Sequence, residues 1–166
     1  MTTSGKRPKL PAHAWRNPVH WLAFGLGLGA LPYAPGTFGT LLGVALYLAM
    51  QSLPLWQYLA LTSLLFVTGI ALCASAARAL GVRDHPGIVW DEAVGYLITM
   101  FAAPPGWAWM LAGFILFRLF DIWKPWPVRL CDQKIHGGFG IMLDDALAAL
   151  YSMLVLHSGY FLYGQI

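Results

Sequence analysis

The stretch LWQYLALTSLLFVTGIALCASAA, residues 55–77, carries no charged side chain and only scattered polar ones. It is too long for an ordinary strand, so it reads as a helix. About 20 apolar residues cross the ~30 Å hydrocarbon core of a bilayer, and this run exceeds that. Outward from it the pattern continues: no Asp, Glu, Lys or Arg occurs between Arg16 and Arg78. The whole chain of 166 residues is 58% apolar and only 10% charged, where a soluble domain carries about 25% charged residues. A soluble fold of this size has too little interior to hide so much apolar surface, so lipid must cover part of it.

Further apolar segments flank the first. Residues 19–34 are glycine-rich and broken by Pro32 and Pro35; 37–53 is closed by Pro54. Residues 91–103 and 107–120 are separated by Pro104-Pro105-Gly106, and 146–163 is a last run. Residues 122–143, rich in proline, glycine and charge, read as a loop. These lengths predict an all-α fold: an integral membrane bundle of about five or six helices, some short or re-entrant. Residues 17–166 form one domain. Residues 1–16, with Lys6, Arg7, Lys9 and Arg16, read as a basic, disordered arm at the membrane surface, with no cleavage site after a short apolar core. The net charge of +3 suits anionic lipid. The basic residues form no long stripe, which argues against nucleic acid. Cys73 and Cys131 fit no metal-ligand spacing and suggest no disulfide framework.

Charge orients the chain. The hairpin tips at 53–55 and 103–107 contain no Lys or Arg, whereas Arg78, Arg83, Arg118, Lys124, Arg129 and Lys134 lie at the opposite ends. The positive-inside rule puts those ends in the cytoplasm. The loops at 35–40, 78–91 and 121–145 then share one face, with all seven acids. On that parity residues 19–34 re-enter or lie at the interface rather than span.

Asp91–Glu92, Asp121 and Asp144–Asp145 adjoin apolar helices. An acid at mid-bilayer costs ~2.5–3.5 kcal/mol on insertion scales, and a leucine returns only ~0.3–0.6 kcal/mol. Several unpaired carboxylates would outweigh a helix of leucines, so these must be solvated, paired or bound to a cation. Charge complementarity at a helix start accounts for one acidic pair, at ~0.3–1 kcal/mol; two adjacent pairs on one face exceed it. A divalent cation relieves such repulsion, and hard oxygen ligands without a Cys/His cluster favour Mg²⁺ over Zn²⁺.

Arg118, Asp121 and Lys124, three apart in succession, are expected along one helical face, as a cation pair for phosphate beside a carboxylate. Pro35-Gly36-Thr37-Phe38-Gly39-Thr40 offers amides and the hydroxyls of Thr37 and Thr40 at a helix start, which suits an anion, although a turn and cap use the same residues. His136, in a glycine-rich loop, and His85, beside Asp84, are candidates to protonate a leaving alkoxide.

Four ordered blocks carry a resemblance: Pro35-Gly36-Thr37-Phe38-Gly39-Thr40; Ile88-Val89-Trp90-Asp91-Glu92 with Gly95; Phe117-Arg118 through Asp121-Ile122-Trp123-Lys124-Pro125-Trp126-Pro127; and His136-Gly137-Gly138 through Gly140-Ile141-Met142 to Asp144-Asp145. Over residues 17–157 the chain resembles phosphatidylglycerophosphatase A, a family of Mg²⁺-dependent phosphatases of the bacterial inner membrane. The family commonly has a serine where Thr40 stands, which keeps the hydroxyl.

The resemblance implies hydrolysis of phosphatidylglycerophosphate to phosphatidylglycerol and phosphate. As expectations, Asp91, Glu92, Asp121, Asp144 and Asp145 hold one or two Mg²⁺. Arg118 and Lys124, with Thr37, Thr40 and the Gly36 amide, bind the substrate phosphate, and His136 acts in proton transfer. The nucleophile is either a metal-held water or an aspartate. No block marks a haloacid-dehalogenase-type phosphatase, a phosphohistidine lipid phosphatase or a CDP-alcohol transferase. A cation channel or transporter lined by the acids is the alternative, but it leaves Arg118, Lys124 and the glycine turns unexplained. A lipid-binding scaffold leaves the clustered acids unexplained.

Overall fold

The computed structural model describes residues 17–163, whose regular elements are all helices, with no strand among them. The basic arm expected over 1–16 lies outside the described residues. Short α1 (Pro18–Ala23) leads through a 3-10 turn (Gly25–Ala30) to α2 (Pro35–Met50), α3 (Leu55–Leu80), α4 (Trp90–Thr99), α5 (Trp107–Trp123), short α6 (Val128–Lys134) and α7 (Gly137–Tyr163). Five of these have ten residues or more.

Helices α3 and α7 are long and apolar enough to cross a membrane. Only 22% of the most apolar window of α3 is buried inside the protein. Its outer face presents Leu59, Leu64 and Val67, each more than half exposed. A soluble core helix would hide that face against protein; the open apolar face here suits contact with lipid.

Helix α4 sits at the centre. It packs on α2, α3, α5 and α7, and eight of its ten residues are buried. Its rise of about 15 Å spans only half of a bilayer core. Glycines on α2 let it come close: a Cβ at Gly39 would strike Val89 and one at Gly43 would strike Ala93 and Tyr96. Several aromatic polar groups in this apolar interior donate to backbone carbonyls within the protein, which suits a lipid surrounding. The Tyr58 hydroxyl donates to the Leu97 carbonyl at 2.7 Å and the Tyr96 hydroxyl to the Met110 carbonyl at 3.0 Å. The Trp90 indole donates to the Leu65 carbonyl at 3.2 Å.

The first apolar segment forms no continuous helix. Left-handed φ values of 58° at Leu26 and 98° at Gly27 break it. It folds onto α3 and the 87–89 segment, where the Val89 amide donates to the Ala23 carbonyl at 3.0 Å.

Three sequence expectations are corrected. Residues 35–40 are not a loop before a helix but the first turns of α2, with Pro35 at its first position, where a missing N–H costs nothing. The loop expected over 122–143 contains α6 and the first two turns of α7. Asp144 and Asp145 therefore lie inside α7, not at its opening. Gly138 and Gly140, which read as loop residues, are small so that neighbouring backbone can approach. A Cβ at Gly138 would run into the Ile70 carbonyl and Ala74 of α3.

Gly138→Ala is expected to force α7 away from α3 and to cost about 1–3 kcal/mol. Thermal unfolding in detergent beside the unmodified chain measures it.

Candidate active site

Burial of α4 carries its first turn, Asp91 and Glu92, into the interior. Helix α7 brings Asp145 to the same point. One oxygen from each of Asp91, Glu92 and Asp145 falls within 4.8 Å of the others. Asp91 Oδ1, Glu92 Oε2 and Asp145 Oδ2 are buried without a hydrogen-bond partner. Charges at such separations repel by roughly 3–4 kcal/mol per pair at an effective dielectric near 20. Buried acceptors are normally paired, so three converging carboxylates, each with an orphaned buried oxygen, fit a hard divalent cation.

The other two acids face side-chain cations. Arg118, near the end of α5, donates from Nη1 to Asp121 Oδ2 at 2.6 Å, and the same nitrogen lies 3.8 Å from Glu92 Oε1. Its Nε is buried with no partner. Gly36 of α2 leaves room for this contact: a Cβ there would strike Glu92 Oε1 and the Arg118 guanidinium.

Lys124 lies past the end of α5 with a left-handed φ of 46°, not on the helical face that spacing alone suggested. Its Nζ donates to Asp132 Oδ1 at 2.8 Å and to Asp144 Oδ2 at 2.5 Å. Burial works against its charge, but attraction to Asp144 and the hydrogen bonds to Asp132 and Asp144 outweigh it and hold the ammonium above its usual pKa.

The remaining candidates lie around this centre. Thr40 is buried, and its hydroxyl donates to the Gly36 carbonyl at 2.9 Å within α2. Thr37 is half-buried in the first turn of α2, where its amide donates to the Ala34 carbonyl at 2.9 Å. His136 lines an adjoining cavity of about 330 Å³ with Arg83, Asp84, Asp132 and Asp144. His85 is buried, its Nδ1 accepting from the Gly87 amide at 3.0 Å. Sequence reasoning missed Asp132 as the second partner of Lys124. Their spacing of eight residues across a turn matches no helical period.

Fold and site define a helical membrane enzyme whose centre is built from carboxylates and two cations. A family model described as Phosphatidylglycerophosphatase A matches residues 21–160, and the chain belongs to that family. A protein named Phosphatidylglycerophosphatase A from Escherichia coli is 46% identical over 143 residues, covering 85% of this chain and 83% of its own. One of the same name from Haemophilus influenzae is 48% identical over 142 residues, covering 84% and 87%. A Bacteroides thetaiotaomicron protein, provisionally named a phosphatidylinositol-3-phosphatase, is 39% identical over 140 residues, covering 80% and 87%. No solved structure matches the chain.

With no cation bound, keeping charge on three carboxylates at one point inside the protein is unfavourable. Asp145→Asn is therefore expected to raise stability in chelator by on the order of 1 kcal/mol or more. Thermal unfolding with excess chelator reads this out; an unchanged or lower midpoint contradicts the repulsion.

Proposed function

We propose that this protein hydrolyses the terminal phosphomonoester of phosphatidylglycerophosphate, giving phosphatidylglycerol and phosphate, with Mg²⁺ as cofactor. The observation that carries the reading is the convergence of the Asp91, Glu92 and Asp145 carboxylates, each with an unpaired buried oxygen, beside the Arg118 guanidinium. The relatives named for this reaction give the substrate its chemical class.

In this reading Asp91, Glu92 and Asp145 hold the ion. When bound, Mg²⁺ polarises the phosphoryl group and offsets charge on the leaving oxygen. Arg118 binds phosphate oxygens through its planar fork. Asp121 accepts from Nη1 of the guanidinium at 2.6 Å and holds it near Glu92, so its orientation is set before substrate arrives. Lys124 stays protonated under the pull of Asp132 and Asp144 and adds positive charge next to Asp145. The Gly36 amide, at the free first turn of α2, and Thr37 beside it supply neutral donors. His136, which shares a cavity with Asp144, gives the leaving alkoxide its proton. The protein works in the bacterial inner membrane as a multi-pass enzyme. The site faces the cytoplasm, because Arg78, Arg83, Arg118, Lys124, Arg129 and Lys134 all lie at that end.

The test is phosphate release from phosphatidylglycerophosphate by purified protein in detergent, with Mg²⁺ and with chelator. Release is expected with Mg²⁺ alone, and Asp91→Asn and Asp145→Asn should each lower it roughly a hundredfold or more. A well-folded wild-type protein that releases none defeats the reading. Release that is indifferent to chelator removes the metal from it.

A further inference from the structure

Next to the site lies a second concavity of about 480 Å³, walled by Trp123, Lys124, Trp126, Arg129, Leu130 and Gln133. Its surface is of two kinds. Trp123 is 68% exposed and Trp126 is 78% exposed, and Ile122 stands beside them at 72%. Large aromatic rings at the water-facing end of a membrane bundle sit at headgroup level, where one edge meets acyl chain and the other meets water. They are held in place: the Tyr151 hydroxyl donates to the Trp126 carbonyl at 3.0 Å, and Phe120 stacks on both Tyr151 and Trp123.

The other element is charge. Arg129 lies exposed on α6 and lines this cleft. Among the described residues no carboxylate lies within ion-pair distance of it. Asp132, one helical turn on, is taken by Lys124. So one cleft is lined by an arginine without a carboxylate partner and by two exposed tryptophans.

Lys124 connects the two places. Its side chain forms part of the cleft wall, while its Nζ rests on Asp144, the neighbour of Asp145 in the carboxylate group. The cleft begins where the site ends. The substrate has a matching layout: a terminal phosphomonoester, a glycerol bridge, a phosphodiester, and then two acyl chains.

We propose that this cleft holds the phosphodiester and the adjoining start of the acyl chains, with Arg129 binding the diester oxygens and Trp123 and Trp126 bearing the chains. The inference rests on the phosphatase reading above and makes Arg129 a specificity-determining residue. Arginine suits the task because its fork meets two phosphate oxygens at once.

The experiment compares full-length Arg129→Gln and Arg129→Lys with wild type in mixed micelles. Removing one charge-assisted hydrogen bond weakens binding by about tenfold or more. In Arg129→Gln, KM for phosphatidylglycerophosphate should rise by about that factor, with kcat unchanged. Inhibition by phosphatidylglycerol, which has the diester and no monoester, should weaken by the same factor. Inhibition by inorganic phosphate, which needs only the reaction centre, should stay as in wild type. Arg129→Lys should fall between. Unchanged KM and unchanged phosphatidylglycerol inhibition overturn the proposal. So does a variant in which phosphate and phosphatidylglycerol inhibition weaken together, since that marks general damage. A wild-type protein without turnover defeats the phosphatase reading itself, and the proposal falls with it.

Discussion

Three carboxylates meeting at one point, Asp91 and Asp145 buried and Glu92 half-buried, in a protein built largely of apolar side chains, is the constraint that organises this molecule. Asp91, Glu92 and Asp145 lie within 4.8 Å of one another at their nearest oxygens. Water cannot dissipate that charge at depth, and repulsion alone would push the helices apart. The surroundings are arranged to hold them. Helix α4 is enclosed by α2, α3, α5 and α7, and it is too short to slide its acids out to a surface without also exposing its apolar end. The bundle gives up local stability at this centre to keep the carboxylates together, a pattern that buried charge shows when function rather than stability fixes it.

Two cations do the rest of the electrostatic work, each between two acids. Arg118 joins Asp121 and Glu92, and Lys124 joins Asp132 and Asp144. These contacts hold the positive groups at the edge of the carboxylate group without filling its centre. They also tie α5, the 124–127 turn and α6 to α4 and α7, so the positions of the cations follow from the packing of the helices. Small residues make this geometry possible: Gly36 admits the Arg118 and Glu92 side chains, and Gly138 lets α7 lie on α3.

Much of the architecture was legible in the sequence because lipid imposes simple rules. An uncharged stretch from Arg16 to Arg78 leaves no other solvent for so much apolar surface. The gathering of every acid near the same helix ends pointed to one reactive face. What stayed hidden were boundaries where composition misleads. His136-Gly137-Gly138 and the acids after it look like a loop, yet α7 begins at Gly137. The glycines there answer to the backbone of α3, a neighbour that local composition does not reveal. Pro35 and Gly36 read as a turn for the same reason, although α2 starts at Pro35.

By itself the sequence determined that the chain is a helical membrane protein, that Asp91, Glu92, Asp121, Asp144 and Asp145 belong to one end of it, and that Arg118 and Lys124 lie near them. These follow from hydropathy and charge, which are properties of segments. Only the tertiary structure decided how the five acids divide, with Asp91, Glu92 and Asp145 converging while Asp121 and Asp144 turn to cations. Adjacent residues on a helix point about 100° apart. Which member of Asp144–Asp145 faces the centre is therefore set by the rotation of α7 against α3, α4 and α5, and that rotation is a property of the packed bundle, not of the segment.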